Sequence, residues 1–163
     1  MRKNSTEALL SGLDILIADS NAYMRRLLRT MLMNLGARSV LDAADGPAAL
    51  HAIRSCNPDI MLLDCDLPGL NAMAVVRMVR SPGDFPRPDI PIIMLASRAS
   101  LSAVTEAMQA GVHEFLIKPT SPKALRDRLA AILYLPRRMT RRGAFYGPEP
   151  RRKLESPKAA RPA

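Results

Sequence analysis

Asp59-Ile60-Met61-Leu62-Leu63-Asp64-Cys65-Asp66-Leu67-Pro68-Gly69 decides the reading of this chain. Its apolar core, Ile60 to Leu63, is too short for a helix and reads as a strand buried on both faces. The strand ends on an acid, Asp64, and turn residues follow at Pro68 and Gly69. A carboxylate at the end of a buried strand costs solvation energy unless something there uses it. In open α/β sheets the carboxyl edge of the strands is where ligands bind, so Asp64 is the first candidate for chemistry.

Upstream, Leu13–Ala18 reads as a strand stopping at Asp19-Ser20. Asn21 caps a helix whose apolar stripe runs through Met24, Leu27, Leu28, Met31, Leu32 and Leu35 to Gly36. Ser39–Ala43 is a second strand, and Asp45-Gly46 leads into a short helix over 47–54 with proline in its first turn. Downstream, a helix is expected from Asn71 to Arg80, then a proline-bearing surface loop over 81–89 and a strand from Ile90 to Leu95. A helix over 99–110 closes at Gly111, Val112–Ile117 forms the fifth strand, and Pro122 opens a last helix to Tyr134. Strands alternating with helices call for a parallel sheet covered on both faces, an α/β architecture. On this division, 1–12 is a flexible N-terminus, 13–135 is the folded domain and 136–163 is a disordered tail.

Hydrophobic residues make up 48% of the 163, ample for one core. No apolar run approaches the roughly 18 residues of a membrane span, and Met1–Gly12 lacks the apolar region of a secretory signal. Cys56 and Cys65 suit no metal motif and read as reduced, buried thiols of a cytoplasmic protein. The formal charge is +9, of which the tail from Pro136 to Ala163 holds +7 and residues 1–135 hold +2. The basic character therefore belongs to an appendage. No winged helix or helix-turn-helix fits in that tail, which argues against a DNA-binding transcription factor. Its arginines with Phe145-Tyr146 leave nucleic-acid binding as a lesser alternative.

The carboxyl ends of the strands bring Asp19, Asp64 and Lys118 to one crevice, with Ala96-Ser97 ending the fourth strand. Two acids and a lysine there suit magnesium and a phosphoryl group: hard Mg²⁺ takes oxygen ligands, and a carboxylate can act as the nucleophile on phosphorus. The lysine would neutralise charge on the phosphoryl oxygens. His51 and His113 read as surface or partly buried, and the methionines as mostly core.

Four segments together, Ile15–Asn21, Met61–Gly69, Ile90–Leu95 and Phe115–Pro119, resemble the receiver domain of two-component response regulators of the stand-alone, chemotaxis-regulator type. The resemblance covers about 13–134. It implies a flavodoxin-like (βα)5 doubly wound parallel sheet of strand order 2-1-3-4-5, with Asp64 as phosphoacceptor and Lys118 on the phosphate. It implies Mg²⁺ on Asp19, Asp64 and the backbone carbonyl of Asp66. The phosphoryl donor would be a histidine kinase or phosphotransfer protein, and the surface around the fourth helix, the fourth and fifth strands and Phe115 would meet a downstream protein partner or a second copy as a homodimer. Beyond catalysing its own phosphorylation and dephosphorylation, such a domain is not an enzyme.

This chain departs from the pattern at informative places. Ser20 stands where the family has a second acid, a poorer metal ligand. Ala96 stands where the family has Thr or Ser, with Ser97 one residue later. Phe115 occupies the aromatic switch position without a phenolic hydroxyl. These departures support an alternative, a pseudo-receiver that binds partners independently of phosphorylation.

Overall fold

In a computed structural model, residues 8–151 are described. The elements in chain order are β1 (Asp14–Ala18), α1 (Ala22–Asn34), β2 (Ser39–Ala43), α2 (Gly46–Cys56), β3 (Ile60–Asp64) and α3 (Ala72–Val79). They continue with β4 (Ile92–Ala96), α4 (Leu101–Ala110), β5 (Glu114–Ile117), α5 (Pro122–Tyr134), β6 (Met139–Arg142) and β7 (Phe145–Pro148). β1 to β5 form one parallel sheet of order β2-β1-β3-β4-β5, the flavodoxin-like order expected.

Side chains of a strand alternate between faces, and two separate cores result. Leu16, Met61, Leu63, Ile92 and Met94 pack with α2, α3 and α4. Their neighbours Ile15, Ile17, Leu62, Ile93 and Leu95 pack with α1 and α5 on the other face. β3 is buried along its whole length because both faces carry helices. Each helix starts on a side-chain cap: Asn21, Asp45, Asn71, Ser100 and Ser121 all accept a backbone N–H of the first turn. β4 and β5 begin two residues later than the apolar runs suggested, because Ile90 and Val112 pack in the core before pairing begins.

Two terminal expectations are corrected. Residues 8–12 do not fray: Leu10 is fully buried, its N–H bonds Leu35 O at 3.0 Å, and Ser11 bridges Ala37. Residues 1–7 lie outside the described residues. In the tail, residues 139–148 form the antiparallel hairpin β6–β7, seated against α4. Its two-residue loop is Gly143-Ala144, with Gly143 at φ +57°, the geometry a glycine-first hairpin turn requires. Residues 152–163 lie outside the described residues.

Smaller expectations also shift. His113 is buried, Cys56 is exposed and Cys65 half-buried, and Met33 and Met78 are exposed. No helix among the described residues is long and apolar enough to cross a membrane.

Candidate functional site

Register brings the site together. Asp19 follows β1, Asp64 ends β3, and Lys118 follows β5, so all three reach the same sheet edge. Lys118 Nζ lies 2.8 Å from Asp19 Oδ2 and 3.0 Å from Asp64 Oδ1. The two acids are almost wholly buried, at 1% and 4% exposure. Burying a charge is tolerable when it is paired and hydrogen-bonded, and this lysine serves two carboxylates at once. Burial pushes the Lys118 ammonium down, but hydrogen bonds to Asp19 and Asp64 and their charges outweigh it, so its pKa is raised.

Backbone geometry fixes each acid. Asn21 N–H donates to Asp19 Oδ1 at 2.8 Å, and Arg25 donates to the Asp19 carbonyl at 2.6 Å. Asp66 N–H donates to Asp64 Oδ1 at 3.2 Å. Lys118 is anchored by its own N–H to Ala96 O at 2.8 Å, and the bond to Pro119 is cis.

These groups line an open cleft of about 450 Å³ with Ser20, Asn21, Met24, Asp66, Ser97 and Pro119. Ser20, Asp66 and Ser97 are exposed. Ala96 is the last residue of β4 and is buried, whereas Ser97 lies beyond the strand on the cleft wall. The hydroxyl is thus displaced by one residue but faces the same cleft. Phe115, on β5, is half-buried, packs against the core shared with α4 and does not line the cleft.

The donor set fits a hard dication in part. Asp19, Asp64 and Asp66 supply oxygens, as Mg²⁺ prefers, while Ser20 contributes only a neutral hydroxyl. Ligand atoms of Asp64, Cys65 and Asp66 lie within 4.8 Å of one another. The Cys65 thiol packs against the core, and burial, then the Asp66 and Asp64 charges, push its pKa up to about 11. The thiol therefore stays protonated at neutral pH.

One group the sequence reading did not pick out is the pair Arg80 and His113, both buried. Arg80 donates to Gly111 O at 2.9 Å, to Pro88 O at 2.6 Å and to His113 Nδ1 at 3.1 Å. The imidazole is therefore held neutral: burial, then the Arg80 and Arg137 charges, lower its pKa to about 3. Nothing in the local sequence around Arg80 signals this, because its partners come from 88, 111 and 113.

Residues 15–130 match the family model of the response regulator receiver domain. The chain is 32% identical to the chemotaxis protein CheY of Pseudomonas aeruginosa over 118 residues, covering 72% of this chain and 94% of that protein. It is 31% identical to CheY1 of Helicobacter pylori over 120 residues, covering 73% and 95%. The solved structure of CheY4 of Vibrio cholerae superposes with a TM-score of 0.68 at 26% identity, covering 74% of this chain and 98% of that one. The family-model match ends before the β6–β7 hairpin, whereas β2 to β5, their helices up to the first turns of α5 and every residue lining the cleft fall inside it. The chain belongs to the receiver-domain family of two-component response regulators.

Proposed function

We propose that Asp64 accepts a phosphoryl group from a phosphohistidine of a kinase or phosphotransfer protein, and that the phosphorylated domain signals through a protein partner. The observation that carries this reading is Lys118 bridging Asp19 and Asp64 at the mouth of the cleft. Lys118 and the Asp66 N–H both converge on Asp64 Oδ1. That leaves Oδ2 as the attacking oxygen. It bonds to phosphorus as the P–N bond of the phosphohistidine breaks, and the imidazole leaves with its electron pair and takes up a proton.

Asp19, Asp64 and the Asp66 carbonyl would hold Mg²⁺, which neutralises phosphoryl charge when bound. Lys118 stays on the oxygen it already holds and pairs with the acyl phosphate. Ser97 on the cleft wall donates to a phosphate oxygen in place of the buried Ala96. The acyl phosphate then biases the surface around α4, β4, β5 and Phe115.

The test locates the modification. After treatment with a small phosphodonor and Mg²⁺, borohydride reduction converts an aspartyl phosphate to homoserine, which peptide mass mapping finds. The expected position is 64; homoserine at 19 or 66 instead would refute the assignment.

A further inference from the structure

The C-terminal hairpin is built to stay where it is. A Cβ on Gly147 would meet the Gly111 Cα at 2.8 Å and the Phe145 ring at 2.7 Å, so β7 lies directly on the end of α4. Tyr146 Oη donates to Asp89. Arg137 donates to the carbonyls of His113 and Glu149. Glu114, 4% exposed at the start of β5, pairs with Arg151 and also draws Arg128 at 3.5 Å and Arg137 at 4.0 Å.

Between this hairpin and α4 lies a groove of about 740 Å³. Val104, Met108, Val112, Phe145 and Pro148 give it apolar walls. Arg137, Arg142 and Arg151 also line it, with Glu114 the one acid among the described residues there. Glu114 is already engaged by arginines, so the groove is left net positive. Arg142 is exposed and makes no ion pair among the described residues.

We propose that this groove docks an acidic segment of a partner protein, one whose carboxylates meet Arg142 while one or two apolar side chains enter between α4 and β7. Charge complementarity selects the occupant. A cation-rimmed apolar slot rewards an acid flanked by apolar residues and repels a basic one. Its volume suits a short run of side chains. The seated hairpin supplies a preorganised wall, which lowers the ordering cost of binding. A second copy of this chain would bring another arginine-rich hairpin to the same place. Nucleic acid would need the guanidinia free, yet Arg137 and Arg151 are turned onto His113 and Glu114. The docking needs no phosphoryl group on Asp64, so it stands or fails apart from the phosphoacceptor reading.

The experiment is selection of a displayed random 12-residue peptide library on the full chain, followed by binding of the selected peptides to variants. The selected peptides are expected to carry Asp or Glu beside apolar residues. Arg142→Glu and Thr105→Glu, both at exposed positions lining the groove, are expected to weaken binding at least tenfold. Replacing the acids of a selected peptide by Lys should recover binding to Arg142→Glu. Four results would overturn the proposal. They are recovery of no peptides, recovery of basic or uncharged ones, binding indifferent to both variants, and an Arg142→Glu-sensitive dimer or RNA complex in place of peptide binding.

Discussion

Lys118 Nζ stands 3.0 Å from Asp64 Oδ1, a contact made across 54 residues of chain by the parallel pairing of β3, β4 and β5. The same ammonium reaches Asp19 at 2.8 Å, so one cation balances two buried carboxylates.

Removing that cation leaves two almost wholly buried acids without their shared counter-charge. Lys118→Ala is expected to lower stability at pH 7 by about 3 kcal/mol, the usual scale for breaking a buried pair. Part of that loss should return on adding Mg²⁺. Urea unfolding with and without the metal checks it; a loss under about 1 kcal/mol would mean that Lys118 is not the balancing charge. In phosphorylated protein the same variant should give a weaker output response.

Ser20 faces the cleft where an acid would add a charged metal ligand. Ser20→Asp should therefore tighten Mg²⁺ binding by on the order of tenfold, since affinity for hard cations follows the number of charged oxygen ligands. Calorimetric titration of both proteins reads this directly, and equal affinities would exclude position 20 from the coordination sphere.

His113 makes stability depend on pH. Its folded pKa, about 3, lies below the usual 6.5 of an unfolded histidine. The unfolded chain thus binds the extra proton throughout the window between these values. Stability is greatest above pH 6.5 and falls as pH drops toward 3, with a slope of at most about 1.4 kcal/mol per pH unit from this residue. Urea midpoints between pH 5 and 7.5 should show the fall in wild type and a shallower one in His113→Asn. Identical slopes would place the imidazole in water.

The hairpin seat predicts a local effect. Gly147→Val drives a side chain into Gly111 and the Phe145 ring, so β6–β7 should lift from α4. Hydrogen exchange over 139–148 is expected to speed up markedly while β1, β3 and β4 keep their protection. Unchanged exchange in the hairpin would show that the Gly111–Gly147 contact does not hold it.

How much of this was legible in the sequence follows from the range of the interactions. The apolar run Ile60–Leu63 ending on Asp64 carries its own message, because a strand buried on both faces needs no partner to be recognised. Lys118-Pro119 after β5 is equally local. The displacement of Ser97 onto the cleft wall needed the strand's end point, which single-residue patterning does not resolve. The hairpin escaped because its arginines dominate the composition, although Gly143-Ala144 between Arg142 and Phe145 was a turn signal of the right length. What holds it down is non-local: Asp89, Gly111, His113 and Glu114 come from other elements. Leu10 was hidden similarly, since its N–H is held by the carbonyl of Leu35, the residue that caps α1.

Whether Asp64 accepts phosphate in spite of Ser20 and Ala96 is read from intact mass after incubation with a small-molecule phosphodonor and Mg²⁺, for wild type beside Asp64→Ala. Wild type is expected to gain one phosphoryl group and the variant none. No gain in wild type across a wide range of Mg²⁺, or an equal gain in Asp64→Ala, would remove Asp64 as the phosphoacceptor.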